Sequence, residues 1–197
     1  RMELWYRRGD GPAIRLTFDD VARLDAAVTV AALRDRGLNT LMLSGDRPEV
    51  ARKLGAGLGI ADVRAGLTPV DKVAAIEALI AQGHRVLMVG DGLNDAAALT
   101  AATVSMSPAS GVDITQNAAD FVYRGDGLAP LVTALDIARR TRVLVRQNFV
   151  LSLAYNVVAV PMAVFGLVTP LIAAVAMSGS SLAVMLNALR LKWGAAK

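Results

Sequence analysis

Two aspartates four residues apart, Asp91 and Asp95, sit in the stretch MVGDGLNDAAAL at positions 88–99, after a short apolar run and with Gly90 and Gly92 around the first. Carboxylates on a glycine-flanked turn suit a hard cation. Mg²⁺ takes oxygen ligands, usually one or two carboxylates completed by phosphate and water. Asp91 is the best ligand candidate, and Asp95 would bind directly or through water. Glycine lets the backbone approach a bound group closely, and Asn94 offers a side-chain amide donor. Two further groups complete a set suited to phosphoryl chemistry. Ser44-Gly45-Asp46 ends another apolar run, so the Ser44 hydroxyl and the Gly45 amide could donate to phosphate oxygens. Lys72 lies in the first turn of a helix and could neutralise charge growing on a phosphoryl group. Taken singly, each is ordinary: Asp-Gly is most often just a turn, Ser-Gly-Asp a helix entry, and a lone lysine a solvated surface group. Their joint occurrence, in this order, points to chemistry. His84, the one histidine, follows a helix stop and reads as a surface residue.

Positioning these groups requires an alternation of strands and helices, which the sequence has. Residues 13–18 (AIRLTF) and 39–43 (NTLML) read as strands, and 24–37 as a helix stopped by Gly37. Pro48 suits the first turn of a helix running to about Gly57. The spacing predicts the clearest helix over 68–83. Thr68 can cap it, Pro69 takes its first position, Asp71 lies in its first turn, Gly83 stops it, and Val73, Ile76, Leu79 and Ile80 form its apolar stripe. RVLMV (85–89) is a strand that opens onto the aspartate turn, and TVSM (103–106) and DFVY (120–123) are weaker strand candidates. Such alternation predicts an α/β layer fold around a parallel sheet. In such sheets ligands bind beyond the carboxyl ends of the strands, where all three polar groups fall.

The C-terminal part is different in kind. From Gln147 to Leu189 there is no Asp, Glu, Lys or Arg. Roughly 20 apolar residues suffice to cross a bilayer, and Pro161, Gly166 and Pro170 divide the run into two spans, about 149–167 and 171–189, joined by the turn GLVTP. A buried soluble hairpin of this size would normally keep a polar face. Arg139, Arg140, Arg142 and Arg146 precede the run, and Arg190, Lys192 and Lys197 follow it. Basic flanks mark the cytoplasmic side, so the soluble part and the C-terminus are both expected there, with Trp193 placed to sit at the headgroup level. This flank accounts for most of the net charge of +4 and removes the case for nucleic-acid binding. With no cysteine, disulfides and Cys-based zinc sites are excluded. The expected organisation is a soluble α/β part over 1–127, a linking helix over 128–146, two transmembrane helices within 147–190 and a tail over 191–197.

The combined motifs resemble one family. GDGLND within MVGDGLNDAAAL is similar to the GDGxND signature of P-type cation-transporting ATPases, whose phosphorylation domain has the haloacid-dehalogenase fold, a Rossmann-like parallel sheet. SGD at 44–46 resembles the family's TGD/SGD motif, TPVDK at 68–72 its P-x-D-K motif, and TFDDVARLDA the segment that follows the nucleotide domain. The likeness covers almost the whole chain. Tyr155-Asn156 in the first span, and Met177 with Ser181 in MSGSS of the second, resemble the last two membrane helices of the copper-transporting, heavy-metal branch. Polar groups within a span are costly and mark functional candidates. Met177 and Ser181 share a helix face, and a thioether suits Cu(I); the small residues Ser178–Ser181 would equally serve helix packing. SGDR, SMSP and VTPLIAA look most like the FixI type, whose members supply copper for respiratory-oxidase assembly in nitrogen-fixing and related bacteria.

The resemblance implies the C-terminal part of a larger pump in the bacterial inner membrane. ATP would be bound mainly by the upstream remainder, Mg²⁺ would sit at Asp91 and Asp95, and Cu⁺ would be the transported ion. Membrane lipid and a copper chaperone or oxidase assembly factor would be partners. The sequence departs from the family pattern in three ways. Ala97 occupies the usual proline position of N-D-x-P-A-L, the D-K-T-G-T phosphorylation motif has no counterpart, and the Cys-Pro-Cys membrane motif is missing. The chain alone is therefore expected not to form a phosphoenzyme. The alternatives are a membrane-anchored phosphatase of the same fold, with Asp19 or Asp20 as nucleophile, and a non-catalytic remnant of a truncated pump.

Overall fold

The computed structural model describes residues 2–18, 22–111, 113–125 and 127–194. Asp19, Asp20 and Lys197 lie outside the described residues, as do the side chains of Lys192 and Trp193. The chain divides into two compact units, Arg1–Val132 and Thr133–Lys197.

The first unit opens with a hairpin of β1 (Met2–Tyr6) and β2 (Ile14–Phe18), paired antiparallel with Tyr6 opposite Ile14. The expected strand at 13–18 therefore exists but pairs with β1 and takes no place in the parallel sheet. Then follow α1 (Ala26–Asp35), β3 (Leu41–Leu43), α2 (Pro48–Leu58), β4 (Asp62–Arg64), α3 (Pro69–Ala81) and β5 (Leu87–Val89). A 3₁₀ turn at Leu93–Asp95 leads into α4 (Ala96–Ala101), β6 (Val104–Pro108), α5 (Asp113–Ala118) and β7 (Phe121–Tyr123). The parallel pairing forms two ladders, β3–β4 and β5–β6–β7.

Local sequence explains the elements that hold the site. Helix α3 starts in a capping box: Thr68 Oγ1 accepts from the Asp71 amide at 3.2 Å, and Asp71 Oδ2 accepts from the Thr68 amide at 2.9 Å. Pro69 fills the first helical position, where no N–H is needed. Gly55 lets α2 lie close to β4, since a Cβ there would come within 2.4 Å of Val63 Cγ2. The core gathers where α3 packs on α4. Ile76, Ala98 and Leu99 are buried there, and each large aliphatic side chain so placed contributes about 1.5–3 kcal/mol. Strand β6 runs through the interior, and its polar groups find partners: Asp120 Oδ2 accepts from the Ser105 amide at 2.8 Å and its hydroxyl at 3.0 Å.

The second unit contains most of α6 (Ala129–Val164) and all of α7 (Pro170–Gly194). Helix α6 is continuous, so the linking helix expected at 128–146 and the first span form one element, with Pro161 inside it. The turn closes with the Leu167 amide donating to Met162 O at 2.9 Å and Gly166 at φ 73°, a left-handed conformation suited to glycine. Thr169 Oγ1 then accepts from the Ile172 amide at 3.3 Å and caps α7. Both helices are long and apolar enough to cross a membrane. Phe149, Leu153, Val157 and Val175 are exposed along them, unlike the face of a soluble core helix.

Candidate functional site

The ends of β3 and β5 and the start of α3 converge on a cleft of about 400 Å³ lined by Gly45, Asp46, Leu67, Pro69, Lys72 and residues 92–95. Of the expected site residues, Gly45, Asp46, Lys72, Asn94 and Asp95 thus face one space. Lys72 Nζ meets Asp95 Oδ1 at 2.7 Å, with both side chains largely buried. Ser44 supports this rim without lining it. Its hydroxyl donates to Asp46 Oδ2 at 2.9 Å and accepts from the Asp46 amide at 3.1 Å. The Ser44 amide and carbonyl hold the strand end through Arg64 O and the Leu67 amide.

Asp91 is placed differently. It does not line the cleft, and its Oδ2 accepts from Arg23 Nη2 at 2.7 Å with the carboxylate half exposed. The two glycines around it are not equivalent. A Cβ at Gly90 would lie 2.7 Å from Asp95 Cβ, so the tight turn needs glycine there. At Gly92 the nearest atom would be 3.6 Å away, ordinary contact. The close-approach argument therefore applies to Gly90 and not to Gly92.

The aspartate loop is also gripped from below. The buried Thr115 hydroxyl donates to Gly92 O at 3.0 Å, and Gly111 lies so near that a Cβ would sit 3.2 Å from Asp91 O. The Gly90 amide donates to Met106 O at 3.2 Å. Tyr123 is buried beside Arg23, Asp91 and Asp25. Burial pushes its hydroxyl pKa up, Arg23 opposes the rise, and the two carboxylates add to it. Sequence reasoning missed Arg23, Thr115 and Tyr123. The one signal for Arg23 was its place in the segment TFDDVARLDA.

The donor chemistry around the loop fits a hard cation. Asp91 and Asp95 carry carboxylate oxygens of the kind a hard cation takes, and each is paired here with a cationic side chain, Asp91 with Arg23 and Asp95 with Lys72. Among the described residues no cluster of three or more His, Cys, Asp or Glu could hold a metal unaided. A Mg²⁺ here would draw on these two carboxylates with phosphate and water for the rest, and would neutralise phosphoryl charge.

In the second unit, Asn156 Nδ2 donates to Ser152 O at 3.0 Å, within its own helix, and Ser180 Oγ donates to Met177 O at 2.9 Å. Tyr155 is half-buried, while Met177 and Ser181 are exposed. Among the described residues no hydrogen bond joins Tyr155 or Asn156 to Met177 or Ser181. The two helices are linked elsewhere, by Asn187 Nδ2 donating to Asn148 Oδ1 at 2.9 Å.

Comparison with known proteins places this geometry. Residues 13–103 match the model of the haloacid dehalogenase-like hydrolases. The nitrogen fixation protein FixI of Bradyrhizobium diazoefficiens is 50% identical over 187 residues, 95% of this chain and 24% of the relative. The chain is homologous to the P-type ATPases. A copper-exporting P-type ATPase of Mycobacterium tuberculosis is 44% identical over 88% of this chain and 23% of its own length. A zinc-transporting PIB-type ATPase in its E2.Pi state superposes with a TM-score of 0.79 at 33% identity, covering 87% of this chain and 28% of that one. The chain thus spans about a quarter of the length of the curated relatives it matches, and the superposition on the zinc pump includes sequence from both units.

Proposed function

We propose that the chain is the C-terminal part of an ATP-driven heavy-metal pump that exports Cu(I) across the bacterial inner membrane for respiratory-oxidase assembly. The observation that carries this reading is one chain combining two features. One is a cleft with Gly45, Asp46, Lys72, Asn94 and Asp95 on its walls, and the other is a pair of apolar helices of membrane-spanning length. Phosphoryl chemistry in the first unit is then the energy source, and passage of an ion along the second is the work. Asp91 and Asp95 hold Mg²⁺, ATP is bound mainly by the upstream remainder of the pump, and an aspartate in that remainder accepts the phosphoryl group. The basic flanks support a cytoplasmic side for the soluble unit and the C-terminus.

Copper is favoured over zinc by the thioether of Met177, a soft ligand one helical turn from Ser181. The name of the mycobacterial copper exporter supports it, while that of the zinc-transporting pump points the other way. A copper chaperone or an oxidase assembly factor is the natural partner. In the full pump, Asp91→Asn should abolish metal-stimulated ATP hydrolysis while leaving copper binding intact, and Cu(I) should stimulate hydrolysis more than Zn(II). Unaltered hydrolysis in Asp91→Asn would refute the assignment of the aspartate loop. Release of phosphate from a small phosphoester by this chain alone would favour a phosphatase using Asp19 or Asp20.

A further inference from the structure

Asp25 stands at the N-cap of α1, where an aspartate ordinarily accepts from the first amides of its own helix. It does not do so: its side chain makes no capping bond to α1. Its carboxylate reaches across more than a hundred residues instead. Oδ2 accepts from the backbone amides of Leu128 at 2.7 Å and Ala129 at 2.8 Å, the residue before α6 and its first residue. These are amides that no helix can satisfy internally, and a carboxylate suits the positive end of a helix dipole. The fit is close. A Cβ on Gly127 would come within 2.4 Å of Asp25 Oδ2, so any side chain there would displace the carboxylate. Asp25 Oδ1 is buried with no hydrogen-bond partner among the described residues, a cost accepted to keep Oδ2 in place. Two residues earlier, Arg23 holds Asp91 at 2.7 Å. The short segment 23–25 therefore ties the aspartate loop at one end and the start of α6 at the other.

We propose that Asp25 is a positioning residue that anchors the first turn of α6, and that Arg23 and Asp25 together form a strap between the Asp91 loop and the helix that continues as the first apolar span. The anchor stands on the geometry alone. Its use in coupling rests on the pump reading, under which a change at Asp91 would be felt at the head of α6.

Amide hydrogen exchange on the full chain in detergent micelles tests the anchor. Asp25→Ala should speed exchange at Leu128 and Ala129 by about tenfold or more, while Asp25→Asn, which keeps an acceptor oxygen, should stay within about threefold of wild type. Gly127→Ala, with the carboxylate retained but displaced, should speed the same two amides. Exchange at these amides unmoved by Asp25→Ala or Gly127→Ala overturns the proposal, as does an increase spread evenly over the first unit. Coupling is read in the full pump. Asp25→Ala should keep phosphoenzyme formation within about twofold and lower metal transported per ATP by about threefold or more, with Asp25→Asn restoring it. A parallel fall of phosphorylation and transport overturns the strap. A wild-type pump that takes no phosphate from ATP overturns the pump reading, while the exchange result still decides the anchor.

Discussion

Lys72 and Asp95 meet at 2.7 Å with side chains only 12% and 16% exposed. Their pairing is the strongest electrostatic statement the site makes, because neither charge is well hydrated without the other. Breaking such a pair strands one charge in a poorly solvated place, and that loss exceeds what the contact contributes when whole. Lys72→Met and Asp95→Asn should each destabilise the chain by about 1–3 kcal/mol. The double variant should lose less than the two singles together, as thermal unfolding in detergent would show. Arg23 and Asp91, more exposed, should contribute less to stability and more to where the aspartate loop points. That Gly45, Asp46, Lys72 and Asp95 share one cleft was legible because each sits near a strand end or helix start that local sequence marks, whereas Ser44 and Asp91 stand off its walls. Arg23 and Thr115 were not legible. They act on residues 68 and 23 positions away, and nothing in their own neighbourhoods announces a partner that only folding supplies.

At the scale of elements, α3 shows how much a few residues can dictate. Thr68, Pro69 and Asp71 were read as a helix start, and the capping box forms from them. The hydroxyl of Thr68, and next its amide, hold the Asp71 carboxyl below the ordinary aspartate range. A carboxyl whose folded pKa is depressed gives stability that is complete above its unfolded pKa of about 3.9 and is lost as the pH falls through the lower folded value. The stabilisation that this cap gives α3 should therefore fade below about pH 4. Thr68→Ala should unfold at lower temperature at pH 7, and the gap to wild type should narrow as the pH drops through that window. Melting curves from pH 2 to 7 check this. Strand β4 and helix α5 went unread for a physical reason. β4 carries two charged residues among its three and so shows no apolar run, and the six residues of α5, like those of the equally unread α4, are too few for a helical stripe, so their form is set by what they pack against. β1 is longer, yet β2 was assigned to the parallel sheet because periodicity shows that a strand exists and not which neighbour it takes.

Over the whole molecule, the boldest sequence signal was the charge-free run from Gln147 to Leu189, and it corresponds to apolar helices with exposed flanks. Pro161 was read as punctuation but lies within α6. A proline is tolerated in such a helix where surrounding groups re-satisfy the freed carbonyl. In membrane vesicles, proteinase K should degrade the first unit and leave a protected fragment spanning roughly 147–189, identified by mass spectrometry; complete digestion would refute membrane insertion. The strand pairing of the first unit bears on how the chain behaves in a tube. Strands β3, β4, β5 and β7 each leave one side without a ladder partner among the described residues, but each is three residues long, too short to template another chain well. The five-residue strands of the hairpin carry Leu4, Trp5, Tyr6, Ile14 and Leu16 in contact with solvent. In a concentrated detergent sample, where the apolar helices are covered, self-association should begin at that hairpin, with the parallel ladders as bystanders.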